Sequence, residues 1–425
     1  MYVALYRKYR PQKFKDIVGQ KYITTTLKNE IKLKKIVHAY IFTGPKGTGK
    51  TTSAKVFSKA INCLNEENGE PCCECEICIG LKRGSILDIT EIDGASNNSV
   101  NDIRILREEA NFSTTHCRYR VYIIDEVHML SSSAFSALLK IMEEPPDNVV
   151  FILATTEISK VPKTICSRCQ IFNFKRINPT EIKTKIVEIA KKEKIEISEK
   201  AALKIALLST GSMRDALSIF DRCSIGNSKI TESILEENLG IIKKENILNL
   251  HKAIKNENEL EILKTIEELY YSGKNLEDLL QELLNFYREM LYSIMLEEKT
   301  KDFLEYYEYL EEIEKVKCFD FEKTNLILEN ILECYEKVKN SSNQKLILEI
   351  EILKIAKLLN NKKNNETKKN ENYEIKLKEK INIKEKDIEN IKPLEPKENR
   401  ISNKKKPLEK LIELAKENKI PFEEI

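Results

Sequence analysis

Between residues 44 and 51 the chain reads Gly44-Pro45-Lys46-Gly47-Thr48-Gly49-Lys50-Thr51, followed by Thr52. The spacing is G-x4-G-K-[ST], and its chemistry is that of a phosphate cradle. Glycines let backbone amides approach phosphate oxygens. The N-terminus of a following helix adds the positive end of its dipole. In such a loop Lys50 reaches the β- and γ-phosphates, and the Thr51 hydroxyl joins a Mg²⁺ shell. A second group of reactive types is Val121-Tyr122-Ile123-Ile124-Asp125-Glu126, an apolar run ending in two carboxylates. At the carboxyl end of a parallel strand Asp125 is placed to hold Mg²⁺, and Glu126 to polarise a water. Paired acids at a strand end are also common as a solvated turn, so this signal gains its weight from the phosphate loop. Thr155 and Thr156 close another apolar run. Either could orient a water or sense a γ-phosphate, and either could be an ordinary strand residue; Thr156 is taken as the catalytic candidate.

The third group is Cys63, Cys72, Cys75 and Cys78, spaced C-x8-C-x2-C-x2-C. Four thiols at these intervals suit tetrahedral Zn²⁺. A shell of four thiolates leaves no open position, so the site reads as structural. Cys73 is an extra thiol that could replace Cys72 only by breaking the repeated x2 step. Disulfides and free thiols are the alternatives. Of eleven cysteines, Cys117, Cys166, Cys169, Cys223, Cys318 and Cys334 are scattered and read as packing residues.

These groups need elements to position them. Short β-branched runs at Ala39–Thr43, Ile86–Ile92, Val121–Ile124, Val149–Thr155 and Ile171–Phe174 predict strands. Thr51–Ile61 and Ala134–Met142 between them predict helices, which implies a parallel α/β sheet. Between Pro179 and Pro393 there is no proline, so that interval can be almost wholly helical. Helices are expected at Glu181–Glu193, Ser198–Ser209, Leu276–Met295 and Thr324–Val338. Gly211 is expected to end the second of these, and Ser212 to cap the next. Residues 361–406 are dominated by Lys, Asn and Glu, a composition that cannot bury a core. Residues 407–425 regain some apolar pattern, as a frayed helix or a peptide that folds on a partner.

The 425 residues carry a formal net charge of +3, with 41% hydrophobic and 33% charged residues. There is no global basic field, so any nucleic acid must meet a local patch. The N-terminus lacks an apolar signal core, and no apolar run approaches a membrane span, which predicts a cytoplasmic protein.

In order and spacing the motifs resemble the clamp-loader ATPases of bacterial replication, the gamma/tau subunits of DNA polymerase III. The resemblance rests on Leu5-Tyr6-Arg7-Lys8-Tyr9-Arg10-Pro11, Val18-Gly19-Gln20, the phosphate loop with its cysteine insert, and Asp125-Glu126-Val127-His128-Met129-Leu130. Ala137-Leu138-Leu139-Lys140, Glu143-Glu144-Pro145-Pro146, Ala154-Thr155-Thr156, Ser167-Arg168-Cys169 and Gly211-Ser212-Met213-Arg214-Asp215-Ala216 complete it. It covers residues 1–240 with specific motifs and continues more loosely beyond.

The resemblance implies an AAA+ P-loop module at 1–178, a helical lid at 179–240, a helical collar at 241–360 and a largely disordered tail at 361–425. It implies ATP, Mg²⁺ and Zn²⁺ as cofactors. The partners would be the other loader subunits in a five-subunit ring, the sliding clamp, primer-template DNA, and a polymerase and helicase met through the C-terminal region. Arg168 would act as an arginine finger on a neighbour's ATP, and Arg214 as the sensor in cis. The segment 5–20 would lie against the adenine. DNA contacts would fall near Asn97, Asn98, Arg104 and Lys140. Without the resemblance, Arg168 reads as a surface ion pair and Arg214 as a partner of Asp215 or Asp221. A related helicase or branch-migration motor would share the phosphate loop but would not explain the cysteine insert. A non-hydrolysing scaffold subunit would not need Lys50, Thr51, Asp125 and Glu126 together.

Overall fold

The computed structural model describes residues 2–296, 309–316 and 319–359. Cys318 and the segment 361–425 lie outside them. Five strands form one sheet: β1 (Ala39–Thr43), β2 (Ile89–Asp93), β3 (Arg120–Asp125), β4 (Val149–Thr155) and β5 (Gln170–Asn173). Their order is β2-β3-β4-β1-β5, and every pairing is parallel. Parallel pairing needs crossover connections, and helices supply them on both faces.

Alternation along each strand sorts the side chains between two cores. Ala39, Ile41, Tyr122, Ile124, Phe151 and Leu153 face one core. It is closed by α5 (Val100–Ala110), α6 (Ser132–Glu143) and α7 (Lys163–Cys166). Tyr40, Phe42, Val121, Ile123, Val150 and Ile152 face the other. There α2 (Lys21–Lys32) and α3 (Lys50–Ile61) contribute Leu27, Ile31, Ala54 and Phe57. Because β1 and β4 are buried along their whole length, they read as continuous apolar runs.

Three of the expected strands shift by one to three residues at their ends, and β3 gains Arg120 and Asp125. β2 starts at Ile89 rather than Ile86, because Leu87 is exposed and the buried Asp88 carboxylate turns to the amides of Thr115, His116 and Cys117. β5 ends at Asn173, although Phe174 stays in the core.

A helical group follows: α8 (Pro179–Glu193), α9 (Glu199–Leu208), α10 (Met213–Ser224) and α11 (Glu232–Leu239). Its start is encoded locally, since the Asn178 side chain accepts the Thr180 amide and Pro179 takes the first turn, where it costs no hydrogen bond. Ser212 caps α10 as expected. Gly211 does not itself end α9: the helix stops at Leu208, and a turn through Thr210 and Gly211, both at positive φ, follows it. Leu5 from α1 (Leu5–Lys8) is buried in this group's core beside Leu217 and Phe220. The Asp221 carboxylate fixes that contact by accepting the Leu5 amide at 3.1 Å and the Tyr2 hydroxyl.

Beyond Gly240 come α12 (Lys244–Lys255), α13 (Glu259–Tyr271), α14 (Leu276–Leu296), then Leu310–Val316, Phe321–Lys339 and a helix over 344–359. Among the described residues no helix is long and apolar enough to cross a membrane. Cys117, Cys223 and Cys334 are buried, and Cys166 and Cys169 pack partly buried against the sheet core, as packing residues should.

Candidate functional site

The phosphate loop joins β1 to α3, so its amides and the helix N-terminus point to one place at the carboxyl ends of the strands. The loop also touches the lid. Gly47 (φ +74°) could not carry a side chain, because a Cβ would come within 1.8 Å of the Ser212 Oγ. At the same contact the Met213 amide donates to the Gly47 carbonyl at 3.1 Å. The N-terminus of α10 is therefore docked on the loop, and this docking brings Arg214 to the cavity.

Lys50 is 5% exposed, and its ammonium donates to the carbonyls of Gly44 (2.8 Å) and Pro45 (3.0 Å). Burial pushes its pKa down, against the pull of the Glu126 and Asp125 carboxylates. The Thr51 hydroxyl donates to Asp125 Oδ2 at 2.8 Å. The two residues expected to share Mg²⁺ thus already meet, although they are far apart in sequence. A hydroxyl beside a carboxylate, with a second carboxylate next to it, is a hard-oxygen donor set that fits Mg²⁺. Thr51, Asp125 and Glu126 line the same cavity as Lys50.

Thr155 and Thr156 have different partners. Thr155 is fully buried, and its Oγ1 accepts the Glu157 amide at 3.0 Å and lies 3.1 Å from His128 Nδ1. Thr156 donates to Glu126 Oε2 at 3.2 Å, so of the two it is the one that reaches the catalytic candidate. The sequence reading assigned no role to His128. Its Nδ1 lies 3.4 Å from Glu126 Oε2, and its Nε2 3.6 Å from Glu157. Glu126 itself adopts φ +47°, an uncommon backbone state for a side-chain-bearing residue and one that clusters at functional sites.

Opposite the loop, the cavity wall comes from the N-terminal segment: Tyr6, Tyr9, Arg10, Pro11, Ile17 and Val18. The segment expected at the base of a nucleotide is therefore at the cavity. The Arg214 guanidinium lies 5.3 Å over the Tyr6 ring rather than on Asp221, whose oxygens are taken by Tyr2 and Leu5. Arg168 is not part of this cavity. It donates to Glu143 (2.9 Å) and to the Thr164 carbonyl (3.0 Å) on the surface, so one chain alone presents it as a surface ion pair. Arg104 and Lys140 are exposed on the neighbouring helices α5 and α6, Asn98 is exposed, and the Asn97 side chain donates to the Asp93 carbonyl.

The four expected cysteines converge, with all their sulfurs within 4.8 Å of one another. Cys63–Cys72, Cys63–Cys78, Cys72–Cys78 and Cys63–Cys75 are 3.4, 3.7, 3.9 and 4.0 Å apart. A tetrahedron with Zn–S bonds of ~2.3 Å has edges of ~3.8 Å, so the cluster fits that ion. Backbone amides already point at the sulfurs: Cys75 N–H at Cys72 (3.2 Å) and Cys72 N–H at Cys63 (3.3 Å). Cys73 turns away, its sulfur 3.6 Å from the Gln12 carbonyl. The thiols that converge are those of the repeated x2 step, with Cys72 rather than Cys73 among them.

A phosphate loop opening a helix, two carboxylates at the end of β3 and a lid docked on the loop define an AAA+ ATPase module. The chain is 36% identical over 362 residues to DNA polymerase III subunit gamma of Buchnera aphidicola subsp. Acyrthosiphon pisum, covering 83% of this chain and 98% of that protein. It belongs to the gamma/tau family of DNA polymerase III subunits.

Bacillus subtilis DNA polymerase III subunit tau is 46% identical over 293 residues, 68% of this chain and 52% of its own length. The chain thus spans about half the length of its tau relatives. Family models match in sequence order. Residues 19–178 match the DNA polymerase III delta subunit, and residues 181–224 the ATPase lid domain of the clamp loader subunit. Residues 230–369 match domain III of subunits gamma and tau. The solved structure of the Bacillus subtilis clamp loader delta protein superposes with a TM-score of 0.35 at 16% identity, over 78% of this chain and 99% of that one.

Proposed function

We propose that this chain is the ATP-hydrolysing subunit of a DNA polymerase III clamp loader, a cytoplasmic hetero-oligomer that places the sliding clamp on primed DNA. Polymerase activity would belong to the complex, not to this chain. The observation that carries the reading is the Thr51–Asp125 contact beside Lys50, with Glu126 held by Thr156 under the lid. These are the parts a hydrolysing motor needs, and a scaffold subunit does not.

In this reading the loop residues 44–52 hold the phosphates of ATP, and Thr51 and Asp125 hold Mg²⁺. When bound, that ion would screen charge on the transferred phosphoryl group. Glu126 accepts a proton from the attacking water, and Thr156 orients the carboxylate that does so. Lys50, itself buried, supplies positive charge to the phosphates. Arg214 completes the site from the lid of the same chain. Arg168 serves the neighbour's site, so it would exchange its Glu143 partner for phosphate on assembly. Cys63, Cys72, Cys75 and Cys78 hold structural Zn²⁺. Residues 1–178, 179–240 and 241–360 act as motor, lid and collar, and the tail as a tether to further partners. Arg104, Lys140, Asn97 and Asn98 are candidates for the DNA backbone, where shape and charge suffice.

The test is ATP turnover by the chain alone and mixed with the other loader subunits, the sliding clamp and primed DNA. The reading expects turnover to rise in the full mixture and to vanish in Lys50→Ala. Turnover indifferent to clamp and DNA would leave an ATPase and remove the loader. Steady strand unwinding by this chain would favour a branch-migration motor instead.

A further inference from the structure

The cysteine cluster lies outside the nucleotide cavity, yet the chain connects the two through the segment Arg10–Asp16. Arg10, Pro11 and Asp16 line the nucleotide cavity. Arg10, Pro11 and Gln12 also line a second cavity, whose other walls include Leu81, Lys82 and Ile86, just beyond the cysteines. The segment is therefore a partition with open space on both sides. Phe14 anchors one end of the segment in the sheet core, and the stretch from Arg10 to Gln12 that faces the cavities is held by a few polar contacts.

Those contacts come from the cysteine module and the helix it grows from. Residues 67–70 form a tight reversal through Asn68 (φ +56°) and Gly69 (φ +77°), the Asn-Gly pattern of a type I′ turn. The turn is pressed on α2, where a Cβ at Gly69 would lie 2.6 Å from the Lys28 carbonyl. It presents Glu70, whose carboxylate accepts the amides of Phe14 (2.7 Å) and Lys15 (3.1 Å), with Lys28 also 3.1 Å away. Lys59 of α3, 7% exposed, donates to Gln12 Oε1 at 2.6 Å. Cys73, between two of the metal-ligand positions, turns its thiol to the Gln12 carbonyl. Cys63 follows directly on the end of α3, the helix that begins at the phosphate loop.

We propose that the cysteine module is a brace for the nucleotide site, with Glu70 as the positioning residue. A metal on the four thiols fixes the Cys63–Cys78 loop to the end of α3. That loop holds Glu70 in place, and Glu70 holds the Phe14–Lys15 backbone and with it the wall that nucleotide meets. The inference rests on the nucleotide reading of the cavity, and it adds that nucleotide affinity depends on a carboxylate that touches neither nucleotide nor metal.

The experiment uses the full chain with Glu70→Ala and Glu70→Gln. Metal content is measured by elemental analysis, affinity by titration with a fluorescent ATP analogue, and backbone exposure by amide hydrogen exchange. We expect Glu70→Ala to keep one zinc per chain, to weaken the analogue about tenfold, and to speed exchange over residues 10–18 but not over α3. Glu70→Gln keeps one acceptor oxygen and should fall between. Removing zinc with a chelator should speed exchange over the same residues. Zinc retained, unchanged affinity in both variants and loss of binding in Lys50→Ala would overturn the brace while sparing the nucleotide site. If the unaltered chain fails to bind the analogue, the nucleotide reading fails and the inference fails with it. Should Glu70→Ala not fold, Glu70→Gln and Gln12→Ala decide the question by the same measurements.

Discussion

In the proposed reading Glu126 carries the hydrolytic chemistry, and its Oε2 meets the Thr156 hydroxyl at 3.2 Å and His128 Nδ1 at 3.4 Å. Glu126→Gln keeps the shape but cannot take a proton. Turnover should fall by about 10²–10⁴ while ATP affinity stays within a few-fold, as read by single-turnover rates and equilibrium titration. Arg168 makes a different prediction, because its partner in one chain is the exposed Glu143. An exposed ion pair contributes ~0–1 kcal/mol, so Arg168→Ala should leave the thermal midpoint of the isolated chain nearly unchanged. In the assembled loader the same change should slow hydrolysis by ~10³–10⁵. Equal slowing in the isolated chain and the assembly would show that the residue does not act across an interface.

At the scale of elements, Asp88 ends the connection into β2 and ties it to the turn before β3. Its buried carboxylate accepts amides from Thr115, His116 and Cys117, and Arg120 Nη2 lies 3.5 Å away. Burial, the largest single influence, pushes its pKa up, but the amides of His116, Thr115 and Cys117 together with Arg120 outweigh it, and the net shift is down. A depressed carboxylate favours folding above its unfolded pKa of ~3.9, and this contribution is lost as pH falls through the lower folded value. Asp88→Asn should therefore destabilise the α/β module at pH 7 by about 1–3 kcal/mol, and the difference from the unaltered chain should shrink as pH drops below ~4. Urea unfolding at pH 7 and at pH 3.5 measures both. The sequence marked this stretch only as part of a strand, because a carboxylate gathering distant amides leaves no local pattern.

For the molecule as a whole, a buried histidine in the helices beyond Gly240 makes stability depend on pH. His251 of α12 is fully buried against α14, with Nδ1 3.1 Å from the Tyr287 hydroxyl and the rings of Phe286 and Phe319 against it. Burial, then Lys255 and Lys252, push its pKa down to about 4. The unfolded chain takes up this proton near pH 6.5, so the stabilising contribution is full above that value and is lost as pH falls from 6.5 towards 4. The helical region around His251 should lose on the order of 3 kcal/mol across that interval. His251→Gln should flatten this part of the stability profile, and an unchanged profile would remove His251 as its source.

Much of the site could be read from residue order, because its chemistry is local. A phosphate loop is one strand end, one turn and one helix start, and all three are written within fourteen residues, 39–52. The cysteine spacing likewise pointed to the thiols that meet, and strands alternating with helices implied a parallel sheet covered on both faces. Contacts between segments distant in sequence were decided only in three dimensions. These include the Thr156 and His128 contacts with Glu126, and the burial of Leu5 in the helical group rather than against the sheet. They also include the Glu70 carboxylate on the Phe14 and Lys15 amides. Periodicity and spacing report the environment of a residue along its own element. Which side chain of another element fills that environment depends on the packing of the whole, and no stretch of sequence carries that information alone.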